Sequence, residues 1–156
     1  MGYDVNGFTD MHTLLTNERK IGGAIEASRI RLSTGEEFTY PVITNIDFSG
    51  STFYSVGFVT DDGEKYIVNV KDISMMASCR HCPIKELKNS HYKEQKTSQR
   101  IEYLKRLCEI NEGACTPIFE EEVAAIINDI GEDAIYQDAE LTYLKKQPLK
   151  NSFKIA

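Results

Sequence analysis

Four runs rich in β-branched and aromatic residues, 24–32, 37–47, 52–60 and 65–71, follow one another with only short gaps between them. The gaps carry turn chemistry: Ser33-Thr34-Gly35-Glu36, Ser49-Gly50-Ser51 and Asp61-Asp62-Gly63-Glu64. A parallel crossover needs a dozen or more residues, so links this short force neighbouring strands to run antiparallel. The expected core of the chain is therefore an antiparallel meander of four or five strands, curled into a small barrel. Tyr66, Val68 and Val70 alternate with Ile67 and Asn69, the two-residue period of a strand with one buried face. Pro41 interrupts the second run, which should bend there or lie at an edge.

Helical periodicity brackets the strands. Residues 9–19 place Met11, Leu14 and Leu15 on one face, with Thr9 or Asp10 as N-cap and Gly22-Gly23 as the stop. After Asp72 the pattern turns helical. Pro83 opens a short helix over 83–89, and a longer one runs from 91 or 98 to 111 with Ile101, Leu104 and Cys108 on its buried stripe. Gly113 ends that helix. Thr116-Pro117 starts the next, with Glu120, Glu121 and Glu122 near its positive end, Val123, Ile126, Ile127 and Ile130 inward, and Gly131 as C-cap. A last helix spans 132–146 and stops before Pro148. The fold class is α+β: a helix plus small barrel over 1–73, a layer of three to four helices over 74–147 packed on it, and a loose tail over 148–156, all one compact unit.

The strand region resembles the Sm-like small β-barrel pattern over residues 9–73. The resemblance lies in a short helix, the turn Leu32-Ser33-Thr34-Gly35 and a strand ending in Asp47 (Ile43-Thr44-Asn45-Ile46-Asp47), then Phe53 to Val59 and Gly63 to Val68. It implies a barrel. Of the family's RNA-binding residues only Asp47 is present: the Asn expected shortly after it is missing, and Lys71-Asp72 replaces the Arg-Gly of the second motif. The resemblance therefore carries no RNA function.

At 156 residues with 41% hydrophobic content the chain can bury a core without disulfides or metal. The start, Met1-Gly2-Tyr3-Asp4-Val5-Asn6, has no secretory signature, and Asn6 departs from a myristoylation motif. No apolar run is long enough to span a membrane. A reduced, cytoplasmic protein is expected, with four thiols (Cys79, Cys82, Cys108, Cys115) rather than a disulfide scaffold.

Charge is blocked along the chain. Residues 1–70 hold 5 Lys/Arg against 10 Asp/Glu, residues 71–110 hold 9 against 5, and residues 111–156 hold 4 against 9, within a total of −6. Three chemistries compete for these blocks. The acidic clusters Glu36-Glu37, Asp61-Asp62 and Glu120-Glu121-Glu122 could line a surface that imitates nucleic-acid phosphates and occupies a basic cleft on another protein. Their plainer roles are turn residues and helix N-terminal charges. Lys93, Lys96 and Arg100 share one helical face that could track a phosphate backbone, or simply be solvated. Cys79 and Cys82, spaced C-x-x-C, could hold zinc with His91, or be redox-active through Cys82 next to Pro83; ordinary thiols in a loop are the simpler account. No phosphate loop, nucleophile elbow or H-E-x-x-H motif is present, which argues against an enzyme and for no required cofactor. The expected function is a non-enzymatic regulatory protein that binds another protein or a nucleoprotein complex. One form is an acidic inhibitor of the kind mobile elements direct against host machinery. A nucleic-acid-binding regulator using residues 80–106 is the alternative, and a zinc- or thiol-dependent protein the second.

Overall fold

The computed structural model describes residues 2–110 and 116–138. The fold is α+β, with nine strands in antiparallel sheets among the described residues and the longer helices towards the C-terminus. The chain divides into two compact units, Met1–Glu94 and Gln95–Ala156.

In the first unit β1 (Tyr3–Asp4) precedes two helices, α1 (Phe8–Thr16) and α2 (Glu18–Ile21). Gly7 takes the N-cap position of α1, where Thr9 or Asp10 was expected; the Asp10 carboxylate instead accepts from Asn6 N at 3.3 Å. Gly22 ends α2, as the Gly-Gly pair suggested.

The first two expected strands are each broken in two. Run 24–32 becomes β2 (Ala24–Glu26) and β3 (Arg29–Leu32), and run 37–47 becomes β4 (Glu37–Thr39) and β5 (Val42–Ser49). β2 and β5 lie in one sheet, β3 and β4 in another. The chain is thus a long hairpin bent between sheets at Ala27–Ser28 and at Tyr40–Pro41. Pro41 has no N–H for a ladder and Tyr40 adopts φ 52°, so regular pairing stops there. Two bonds hold the corner: Ala27 N to Pro41 O at 3.0 Å and Tyr40 N to Ser28 O at 3.0 Å.

Then follow β6 (Thr52–Val59), β7 (Lys65–Asn69), a 3₁₀ turn at Val70–Asp72, β8 (Ile73–Ala77) and β9 (Arg80–Cys82). Strand structure therefore continues to Cys82, beyond the point where helix was expected. The six-stranded sheet has the order β1-β9-β2-β5-β6-β7 and the three-stranded sheet β4-β3-β8. β5, β6 and β7 form the expected meander. β2, however, pairs with β9 as well as β5, which sequence order does not reveal.

The closed small barrel is not what forms. Among the described residues β7 ends one sheet and β4 ends the other, with no ladder between them. β4 is only three residues long because the corner cuts it off, so side chains fill the place where strands would pair. The Phe38 ring lies 4.8 Å from the Tyr66 ring and 5.2 Å from the Phe58 ring. The core beneath is Val5, Met11, Ile25, Ile30, Ile43, Ile46, Val56 and Phe58.

The expected helix over 83–89 is a single 3₁₀ turn at Ile84–Glu86. α3 (Ser90–Ile110) begins in the first unit and continues into the second. α4 (Pro117–Ile130) has the expected start: the Thr116 hydroxyl accepts from Phe119 N at 3.2 Å and Pro117 occupies the first turn. Val123, Ile126 and Ile130 are buried, and Gly131 separates α4 from α5 (Glu132–Tyr136). The expectations for Gly113, Cys115, residues 139–146 and the tail lie outside the described residues. No described helix is long and apolar enough to cross a membrane.

Candidate functional site

Two turns build the site. In the β3–β4 turn, Leu32 N bonds Glu36 O at 2.9 Å and the Thr34 hydroxyl donates to the Glu36 carboxylate at 2.9 Å. In the β6–β7 turn, Thr60 N bonds Glu64 O at 2.8 Å and Gly63 N bonds Thr60 O at 3.0 Å. The Thr60 hydroxyl accepts from Glu64 N at 3.0 Å and donates to the Asp62 carboxylate. That hydroxyl is the main reason the Asp62 carboxyl titrates below its ordinary value.

Tyr66 lies just past the β6–β7 turn. Its hydroxyl donates to Glu64 at 3.2 Å. Its pKa is raised above the ordinary 10.0, first by the charge of Glu64, then by desolvation, and further by Asp62 and Glu36. Glu64 is the carboxylate that bonds the phenol, and the Phe38 ring of β4 lies 4.8 Å from the Tyr66 ring, which brings the strand after the β3–β4 turn beside β7.

The remaining acidic candidates divide. Glu37 is held by two arginines, with Arg29 Nε and Arg31 Nη2 each 3.4 Å from its carboxylate, so its charge is neutralised locally. Asp61 accepts from Ser90 N at 3.1 Å and steadies the start of α3. Glu120, Glu121 and Glu122 belong to the second unit, where Tyr103 donates to Glu122 at 3.4 Å.

His91 is placed by this turn as well. A Cβ added at Gly63 would lie 2.6 Å from His91 Cε1, and Gly63 has φ +91°. Both facts demand glycine there. The ring therefore sits against the acidic turn. Cys79 belongs to the apolar core, and burial raises its thiol pKa. The Cys82 thiol is pushed up to about 11 by burial first, then by Glu26 and Glu86. Both shifts run opposite to the lowering that the alternative redox reading of Cys82 beside Pro83 needs. C-x-x-C along extended chain also sets its two side chains on opposite faces, whereas a zinc knuckle needs them convergent. Among the described residues no three His, Cys, Asp or Glu side chains are gathered to hold a metal ion.

No protein-family model, curated protein or solved structure matches the chain.

Lys93 and Lys96 are half-buried on α3. Arg100 Nε is buried without a hydrogen bond, and an Asp129 carboxylate oxygen lies 3.7 Å from it. Lys105 lies 3.0 Å from Asp138. The basic block is thus partly spent on carboxylates of its own unit. Asp47 accepts from Asn45 Nδ2 at 3.0 Å and Ser55 Oγ at 2.9 Å, within the sheet.

Glu64 and Tyr66 were not singled out from the sequence. Glu64 closes the same turn as Asp61 and Asp62, which was the available signal; Tyr66 read only as an inward strand residue. Two buried groups were also missed. The Glu26 carboxylate accepts from Lys88 N at 3.0 Å and Asn89 N at 2.8 Å, yet burial still raises its pKa. Asn89 is fully buried; its Nδ2 donates to Tyr40 O at 2.8 Å and Val59 O at 3.1 Å, and its Oδ1 accepts from Tyr92 N at 3.0 Å. It caps α3 and pins it to the Tyr40–Pro41 corner.

Proposed function

We propose that this is a non-enzymatic interaction protein whose first unit binds a basic partner protein through the acidic end formed by Glu36, Asp62 and Glu64. The observation that supports the reading is that each of these carboxylates is tied by a hydrogen bond next to its own turn, Glu36 to Thr34, Asp62 to Thr60 and Glu64 to Tyr66. Each turn is held by its own backbone bonds, so the charges are fixed in place before any partner arrives. Preorganised charge speeds encounter with a complementary surface and selects against acidic ones. The inhibitory form, in which this end occupies a nucleic-acid-binding cleft, extends the same chemistry. The contributions first assigned to Glu37 and Asp61 are smaller, because Arg29, Arg31 and the α3 start already use them. The reading through Lys93, Lys96 and Arg100 has less support, since Arg100 faces Asp129.

The test is affinity capture from the native host with the wild-type chain and with a triple Glu36→Gln, Asp62→Asn, Glu64→Gln variant. A captured basic protein should be lost with the variant and at high salt, and wild-type chain should displace nucleic acid from it. Equal capture by both forms would remove the acidic end from the function.

A further inference from the structure

Residues 6 and 7 carry a chemistry independent of the acidic-end reading. We propose that Asn6-Gly7 is a self-modification site, at which the folded chain loses ammonia and takes up water to leave aspartate and isoaspartate at position 6. The side-chain amide of an asparagine is attacked by the backbone nitrogen of the next residue, and that nitrogen is least crowded when the residue is glycine. Asn6-Gly7 is the only such pair in the sequence.

The fold leaves both reacting groups open. Asn6 is exposed, and among the described residues nothing bonds its side chain; its backbone N–H alone is engaged, by Asp10 at 3.3 Å. Gly7, as the N-cap of α1, gives its carbonyl to Met11 N at 3.1 Å, while its own N–H has no acceptor among the described residues. No atom lies within 4 Å of the place where a Cβ on Gly7 would stand. The backbone there is extended, φ −179° and ψ 179°, so the helix start does not itself require glycine. The other described asparagines are held. Asn17 Nδ2 donates to Thr13 O at 2.9 Å and Asn45 Nδ2 to Asp47 at 3.0 Å. Asn69 accepts from Lys71 N at 2.9 Å and precedes the β-branched Val70. Asn89 is fully buried with its amide bonded, and Asn128 lies inside α4, where helical bonding holds the next nitrogen.

The step balances with water as the sole co-reactant. Gly7 N gives its proton to hydroxide and attacks Asn6 Cγ. The new C–N bond closes a cyclic imide, and the Cγ–Nδ2 bond breaks, the leaving nitrogen taking a proton from water to depart as ammonia. Water then opens the imide. Breaking the bond from Gly7 N to Cγ gives aspartate; breaking the bond from Gly7 N to the main-chain carbonyl gives isoaspartate, whose chain runs through the former side chain. The consequence falls on α1. Val5 is buried and its N bonds Cys79 O at 2.9 Å, while Met11 is buried in α1. Isoaspartate puts an additional methylene into the main chain between these two anchors, and the first turn of α1 must shift to accept it. Either product also sets a negative charge beside Asp10.

Incubating the native chain in mildly alkaline buffer, with peptide mapping by mass spectrometry at intervals, tests the proposal. The peptide that contains Asn6 should give way to two acid forms, separable by chromatography, before any other asparagine converts. The rate should rise in proportion to hydroxide. Gly7→Ala, which the extended backbone and the open space accept, should keep the far-ultraviolet dichroism and slow the conversion at least about tenfold, because the methyl crowds the attacking nitrogen. The same chain unfolded in urea supplies the reference rate. If Asn6 stays an amide in the native chain for as long as the unfolded chain takes to convert, the fold shields it and the proposal is overturned. Equal rates for the wild-type chain and Gly7→Ala, or earlier conversion at another asparagine, overturn it as well.

Discussion

Replacing Asn89 by Ala should be the most damaging single polar substitution in the first unit. The side chain makes three hydrogen bonds in a place that water does not reach, to Tyr40 O, Val59 O and Tyr92 N. Losing the cap of α3 costs about 1 kcal/mol. Leaving each of the two buried carbonyls short of a donor costs about 1 kcal/mol more. The sum is about 3 kcal/mol, a large share of the roughly 5–15 kcal/mol that a domain has in total. With a urea dependence of about 1.5 kcal/mol per molar, the midpoint should fall by about 2 M. The chain has no Trp and 8 Tyr, so unfolding is followed by far-ultraviolet dichroism and tyrosine fluorescence. Hydrogen exchange of the β5 and β6 amides isolates the first unit. Thr116→Ala supplies the comparison: it removes an exposed cap with one bond, for about 1 kcal/mol. If Asn89→Ala costs no more than Thr116→Ala, Asn89 is not the pin described here.

Glu26 should make the protein less stable as pH rises. Its folded pKa lies above the ordinary 4.5, so the native state holds the proton over a range where the unfolded chain has released it. The contribution is present below 4.5 and lost as pH climbs through the higher folded value; urea midpoints across that range should show the fall, and Glu26→Gln should flatten it. The Cys82 thiol, raised from 9.0 to about 11, should react with iodoacetamide about a hundredfold more slowly than in unfolded chain, and equal rates would refute its burial. Gly63→Ala should cost about 1–3 kcal/mol through its positive φ, and more through the clash with His91. Adding His91→Ala should recover only the clash, a split that a double-mutant cycle measures.

Local signals in the sequence were sufficient wherever local physics decides. The strand runs, the β5–β6–β7 meander, the Thr116-Pro117 start of α4 and the Gly22 stop were legible, because turn residues, caps and periodicity act over a few neighbours. The bend at Pro41 was legible too, since a missing N–H is a property of one residue. The corner at Ala27–Ser28 was not. It depends on Ser28 bonding Ala77 O, some 49 positions away. The same distance hid β9 between β1 and β2, and with it the burial of the C-x-x-C pair.

Composition and order alone therefore determined an α+β chain with an antiparallel centre and alternating blocks of charge. Tertiary structure decided which charges remain available. It bonded Glu64 to Tyr66 and Asp62 to Thr60, gave Glu37 to two arginines, turned Arg100 towards Asp129 and set His91 against Gly63. The physical reason is that a charge is valued by what lies within a few ångströms of it. Those neighbours come from strands and turns that meet only when the sheets bend and pair.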